Sequence, residues 1–184
     1  MIEIIFYGRG GQGAVMASQI LATAAFLEGK YAHAFPRFGG ERKGAPVVAY
    51  VRISPDPIEV RNPIEVPDMV IVLDAALLKT VYPLNSLRSN GLAIVNTSNS
   101  PEEIKKRSKN KDIRVDTIDA TALSERVYGQ SSIPIVNVAM LGYFAARTRV
   151  IEVESLLTSI DKYFTGDNAA RAKESVKLAY GISE

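Results

Sequence analysis

A chain of 184 residues, 47% hydrophobic and 23% charged, has apolar mass for one core and too little length for two domains to be the default. With 22 basic against 20 acidic residues the formal charge is +2, too balanced for a nucleic-acid footprint. Its single histidine, His33, and its lack of cysteine exclude disulfides, thiolate-held iron–sulfur clusters, thiol nucleophiles and multi-histidine metal sites in this chain.

Met1 leads straight into the apolar residues Ile2 to Tyr7, a buried strand with no basic leader before it, so export is not expected and the cytoplasm is the expected compartment. The turn Gly8-Arg9-Gly10-Gly11-Gln12-Gly13 follows. From Gly13 to Glu28 apolar residues recur at helical spacing (Met16, Ile20, Ala24, Leu27), and Gly29 supplies the stop. Tyr31 to Phe35 reads as the second strand, giving the strand–turn–helix–strand opening of a doubly wound sheet.

A charged, glycine-rich loop then runs from Pro36 to Ala45, and Pro46 to Ile53 is the next strand. Ile58 to Val60 reads as a short strand able to pair back as an antiparallel hairpin, although the prolines around it argue against this. Met69 to Leu73 is the clearest buried strand. It is far too short to span a bilayer, and Asp74 is placed to cap a short helix through Leu78. Gly91 to Asn96 is another buried strand, and Ser100-Pro101-Glu102-Glu103 starts a helix. The basic stretch Lys105 to Lys111 reads as a solvated helix end rather than a nucleic-acid patch. Ile113, Val115 and Thr117 alternate as a strand before a helix from Ala120 to Val127. The last third is helical: a buried helix over Pro134 to Arg147, a striped one over Val153 to Phe164 that stops at Gly166, and an amphipathic one over Asn168 to Tyr180. The expectation is one α/β domain over residues 1–184, a Rossmann-like doubly wound sheet, largely parallel, with an antiparallel hairpin and a helical C-terminal third.

The spacing Gly8-x-Gly10-x-x-Gly13 between a strand and a helix matches the dinucleotide fingerprint. Such glycines permit a tight turn, let a ligand approach the backbone, and leave helix-terminal amides facing an anion. The fingerprint also needs a carboxylate at the end of the second strand. Tyr31 to Arg37 contains none; Arg37 stands there instead, suited to a phosphate such as that of NADP or coenzyme A. Three readings stay open from the residues alone: a turn that serves packing only, a dinucleotide site, or an anion contact.

Taken together, Gly8-Arg9-Gly10-Gly11-Gln12-Gly13-Ala14 and the run from Tyr31 through Phe35-Pro36-Arg37-Phe38-Gly39-Gly40-Glu41-Arg42-Lys43-Gly44-Ala45-Pro46 resemble the gamma subunit of pyruvate and other 2-oxoacid:ferredoxin oxidoreductases. The likeness extends to the Arg52-Ile53-Ser54 segment, the strand ending Leu73-Asp74, and the helix with Asn137, Met140 and Gly142. It implies a complex that oxidatively decarboxylates a 2-oxoacid, passes electrons through iron–sulfur clusters to ferredoxin, and delivers the acyl group to coenzyme A. Thiamine diphosphate, magnesium and the clusters are implied on alpha-, beta- and delta-type partner subunits. No catalytic residue and no metal ligand is expected in this chain.

The resemblance leaves this chain a structural role and a place near coenzyme A. Gly8, Arg9, Gly10, Gly11, Gln12, Gly13, Arg37 and Arg42 are the candidates for an anion or coenzyme A contact. Phe35, Arg37, Glu41, Arg42 and Asn137 are the candidates for partner contact, since arginine and aromatic anchors dominate interfaces. The alternative is a stand-alone NADP- or coenzyme A-binding Rossmann-like protein. No nucleic-acid or membrane partner is expected, and self-association of the isolated chain is compatible with this reading. His33 and Asn137 also read as packed residues, and Asp74 as a cap that stands where α/β sites form.

Overall fold

The computed structural model describes residues 1–37 and 45–182. Six strands form one sheet in the order β2-β3-β1-β4-β5-β6. They are β1 (Ile2–Arg9), β2 (Tyr31–Arg37), β3 (Pro46–Ser54), β4 (Met69–Val72), β5 (Leu92–Asn96) and β6 (Arg114–Ile118). β1, β4, β5 and β6 run parallel, whereas β3 is antiparallel to both β1 and β2. The α/β class and the largely parallel sheet are as the sequence pattern implies. The antiparallel element is placed differently. Ile58 to Val60 form no strand, and β3 itself is the return arm of a β2–β3 hairpin, inserted between β1 and β2. The prolines at 55, 57 and 63 deny this segment a ladder donor at each position, so it crosses the sheet as a strap.

Side chains alternate across the sheet, and each face has its own core. On the first face, Ile4 and Phe6 of β1, Ile71 of β4 and Ile94 of β5 meet α1 (Ala14–Leu27) and the C-terminal helices. Those helices are α4 (Asn137–Thr148), α5 (Val153–Ile160) and α6 (Gly166–Gly181). α1 approaches closely because its buried stripe is mostly small: Ala14, Ala17, Ser18, Ala24 and Ala25 beside Ile20 and Leu21. α4 begins at Asn137 rather than at Pro134, because the Ile135 amide is bound outside the helix, to Ser124 Oγ at 2.8 Å.

The second face is covered by smaller pieces. Ile64 from the strap, Leu77 and Leu78 from a 3-10 helix at Ala75–Lys79, Leu84 from another at Pro83–Ser86, and Ile104 from α2 (Pro101–Lys105) pack on Val70, Val72, Ala93 and Val95. Ser100 and Glu103 cap α2 reciprocally, Ser100 Oγ accepting from the Glu103 amide and Glu103 Oε2 from the Ser100 amide. α3 (Ala120–Tyr128) completes the helices. No helix among the described residues is long and apolar enough to cross a membrane.

Candidate functional site

The connection after β1 passes over the first face through α1, and the connection after β4 passes over the second through the 3-10 helices. β1 and β4 are parallel neighbours, so their carboxyl ends flank the point where the winding changes side. Open α/β sheets place ligand crevices there. The glycine turn leaves β1 at that point, and Asp74 leaves β4 beside it.

A compact polar network fixes the turn. Gln12 Oε1 accepts from the Arg9 amide at 2.8 Å, and the Gln12 amide donates to the Arg9 carbonyl at 3.0 Å. Asp74 Oδ2 accepts from Arg9 Nε at 2.7 Å and from Gln12 Nε2 at 3.5 Å, while its Oδ1 caps the next helix by accepting from the Ala76 amide at 2.8 Å. Asp74 is therefore both the cap expected from its position and the anchor of the turn. The second function was missed, because the partner lies 65 residues away with no local signal.

The turn ends in the left-handed region at Gly13 (φ 78°), which is the N-cap of α1 and supplies no side-chain cap. A Cβ at Gly13 would stand 2.5 Å from Asn137 Nδ2, so a larger residue here would be strained in its backbone and would have to displace the Asn137 amide. Asn137, a candidate for partner contact by sequence, is only 3% exposed. Its Nδ2 lies 3.5 Å from the Gly13 carbonyl oxygen, and its visible contact is internal.

Arg37 ends β2 at the same rim, since β2 and β1 both run antiparallel to the strand between them. Two strand spacings, about 10 Å, separate β1 from β2. Below the rim, on the second face, Arg37, Tyr7, Tyr50, Ile5, Ile64 and Ser86 are among the residues lining a cavity of about 420 Å³. Burial pushes the Tyr7 phenol above its ordinary value, with the Tyr50 hydroxyl adding to the rise and a Ser86 hydrogen bond and the Arg37 charge opposing it.

Phe35, half-buried on that face, packs in tilted contacts with His33 (ring centroids 4.8 Å) and Tyr50 (5.1 Å). His33 is thus a packed ring, as its setting suggested. Phe35 also lies under Arg52, whose guanidinium is 5.7 Å from its centroid. Arg52 is 1% exposed. Its Nε donates to Glu3 Oε1 at 2.8 Å, and its Nη1 donates to the carbonyls of Asn62 (2.8 Å) and Val60 (3.3 Å). Nothing in the strand pattern marks Arg52 as buried; a polar residue in an alternating strand ordinarily reads as solvent-facing. Of the candidates in the charged loop, Glu41 and Arg42 lie outside the described residues.

One mixed six-stranded sheet, with a glycine turn and Asp74 at the point where its winding changes side, defines an α/β protein of the doubly wound type. The solved pyruvate oxidoreductase subunit PORC of Thermotoga maritima shares this fold, with a TM-score of 0.84 and 32% identity over 98% of this chain and 95% of its own. Residues 3–182 match the family described as pyruvate ferredoxin/flavodoxin oxidoreductase, and the chain belongs to that family as a gamma-type subunit. It is 47% identical, over 95% of both chains, to the pyruvate/ketoisovalerate oxidoreductases common subunit gamma of Pyrococcus abyssi. It is 43% identical to the pyruvate synthase subunit PorC of Methanothermobacter thermautotrophicus, over 98% of this chain and 94% of that one.

Proposed function

We propose that the chain assembles, in the cytoplasm, with alpha-, beta- and delta-type subunits that convert pyruvate and coenzyme A to acetyl-CoA and carbon dioxide while two electrons pass to ferredoxin. Thiamine diphosphate, magnesium and the iron–sulfur clusters belong to those partners in this reading. The gamma chain is a non-redox subunit: it holds partners through the β2–β3 hairpin and presents its rim to coenzyme A. Pyruvate is the substrate favoured, and the choice among 2-oxoacids lies in other chains. The name of the Pyrococcus abyssi relative, a gamma subunit common to pyruvate and ketoisovalerate oxidoreductases, supports that division.

The observation that supports the coenzyme A assignment is that the glycine turn with its helix start and, about two strand spacings away, the end of β2 at Arg37 leave the sheet on the same side. Backbone amides at a helix start and arginine forks both suit phosphate oxygens. The chain contributes no nucleophile and no general base; it binds and orients. Replacing Arg37 and Arg42 by Ala in the assembled complex tests this. The expected result is a KM for coenzyme A raised about tenfold, the effect of losing roughly 1.4 kcal/mol, with assembly and kcat preserved. Loss of assembly with an unchanged KM would instead make the loop a partner contact alone.

A further inference from the structure

We propose that the cavity under the strap, on the second face, is an adenine pocket: the nucleotide end of coenzyme A enters it while Arg37 at its mouth holds a phosphate. The proposal rests on the coenzyme A reading above. It adds which end of the ligand this chain takes and which side chains read it.

The cavity encloses about 420 Å³, within the range of about 300–1,000 Å³ usual for small-molecule sites. Ile5, Pro63 and Ile64 give it apolar walls, and the hydroxyls of Tyr7, Tyr50 and Ser86 stand among them. Tyr50 is decisive. It is 3% exposed, it lines the cavity, and its hydroxyl makes no hydrogen bond with any described residue. Phenylalanine would pack against the Phe35 ring equally well and would avoid the cost of a buried polar atom left unpaired. A buried tyrosine hydroxyl ordinarily has a partner, and here that partner is the ligand. The Ser86 hydroxyl donates to the Pro83 carbonyl at 2.9 Å, so toward other groups its oxygen is an acceptor. Burial raises the Tyr7 phenol, which therefore stays protonated at neutral pH and keeps a proton to donate.

Three parts of coenzyme A compete for this space. A phosphate is the wrong occupant. Arg37 is the one cation among the described lining residues, and Glu65 lines the cavity as well, so a dianion drawn inside would lose its water without a net positive charge to replace it. The pantetheine arm must carry its thiol out to the thiamine diphosphate of a partner subunit, whereas this cavity is floored by the chain's own strands through Ile5, Tyr7 and Tyr50. Adenine is uncharged, with two apolar faces and an edge that sets ring-nitrogen acceptors beside an amino donor. Apolar walls with hydroxyls that both donate and accept suit that shape and that edge. Arg37 ends β2 at the rim and also lines the cavity, so a phosphate on its guanidinium lies beside the entrance taken by the base.

The test uses the assembled complex with Tyr50→Phe, which keeps the ring and removes the hydroxyl. Two halves of coenzyme A serve as competitive inhibitors against it: the adenosine bisphosphate half and the phosphopantetheine half. The expected result is a KM for coenzyme A and an inhibition constant for adenosine bisphosphate each raised about fivefold, the effect of one lost hydrogen bond. Inhibition by phosphopantetheine is expected to match wild type. Weaker inhibition by phosphopantetheine, alone or together with the other half, overturns the proposal, because the arm then fills the cavity or the sheet is disturbed. Unchanged constants in Tyr50→Phe with a raised KM in the Arg37/Arg42 variant overturn the adenine pocket and leave the coenzyme A reading standing. Unchanged constants in both variants overturn the reading and the pocket with it. Should Tyr50→Phe fail to assemble, Tyr7→Phe takes the same three measurements with the same expected and overturning results.

Discussion

The two faces of the sheet are sealed by opposite means. The first is covered by α1, α3, α4, α5 and α6, whose apolar residues interlock in one continuous core from Ile4 to Ala179. The second is covered by a strap, two 3-10 helices and the five-residue α2, and its outer corner depends on a buried arginine instead of on apolar mass. Packing of the first kind is distributed: many side chains each contribute a little, and only a backbone-level intrusion disturbs it. Cover of the second kind is concentrated in a few directional bonds. Substitutions that act on one face or the other can break this contrast.

The largest effect is expected at Arg52→Ala on the second face. The side chain ties β3 to β1 through Glu3 and holds the strap by two carbonyls. Losing a charge-assisted bond to the partly exposed Glu3 and two bonds to backbone carbonyls costs about 3 kcal/mol, which in a chain of this size corresponds to a Tm lower by about 10 °C. Proteolysis is then expected first between Pro55 and Val66, while the first-face helices stay protected. Cleavage starting in α5 or α6 instead would show that the strap does not depend on Arg52.

Next in size is Gly142→Ala on the first face. A Cβ there would press into the Val176 carbonyl oxygen, where α4 and α6 cross. That neighbour is backbone, so relief requires the helices to separate. Overpacking of this kind costs about 1–3 kcal/mol, and the loss is expected to be global, with the whole chain unfolding in one transition at lower temperature. A variant that melts like wild type would show that the two helices have room to slide, contrary to an interlocked core.

The same contrast explains what was legible in the sequence. Periodicity reports distributed packing, so β1, α1, β4, β5 and α4 to α6 are apparent from their apolar spacing, with ends displaced where a single bond intervenes, as at Ile135. Directional ties have no such signature. The insertion of β3 between β1 and β2, the burial of Arg52, and the links from Gly13 to Asn137 and from Arg9 to Asp74 all join distant residues through one or two atoms each. The glycine turn was readable as a motif because its requirement is local: a left-handed N-cap directly after a strand. What holds it in place was not, because Asp74 and Asn137 come from other ends of the fold. Asp74 offered half a clue, since a carboxylate at a strand's carboxyl end reads as a cap and leaves its second oxygen unassigned.

The smallest expected effect is one of pH, at the end of α1 away from the glycine turn. Glu28 there ties α1 to the start of α5: its Oε2 accepts from Lys30 Nζ at 2.6 Å and its Oε1 from the Glu152 amide at 2.7 Å. Burial works to raise the Glu28 carboxyl, but the bonds from Lys30, the Glu152 amide and Ser155, with the Lys30 charge, hold it below its ordinary value. The folded state therefore prefers the ionised form more than the unfolded chain does. The stabilisation is fully present above the unfolded carboxylate range and is lost as pH falls through the lowered folded value. Glu28→Gln is expected to melt about 2–4 °C below wild type at neutral pH, the shift that roughly 1 kcal/mol makes in a chain of this size. The two melting curves should converge on acidification below the ordinary carboxylate range. The tie joins two helix termini without entering the core, so its loss should leave the first face otherwise intact. A difference in Tm that persisted unchanged into strong acid would mean that the carboxylate's charge is not what holds α1 to α5.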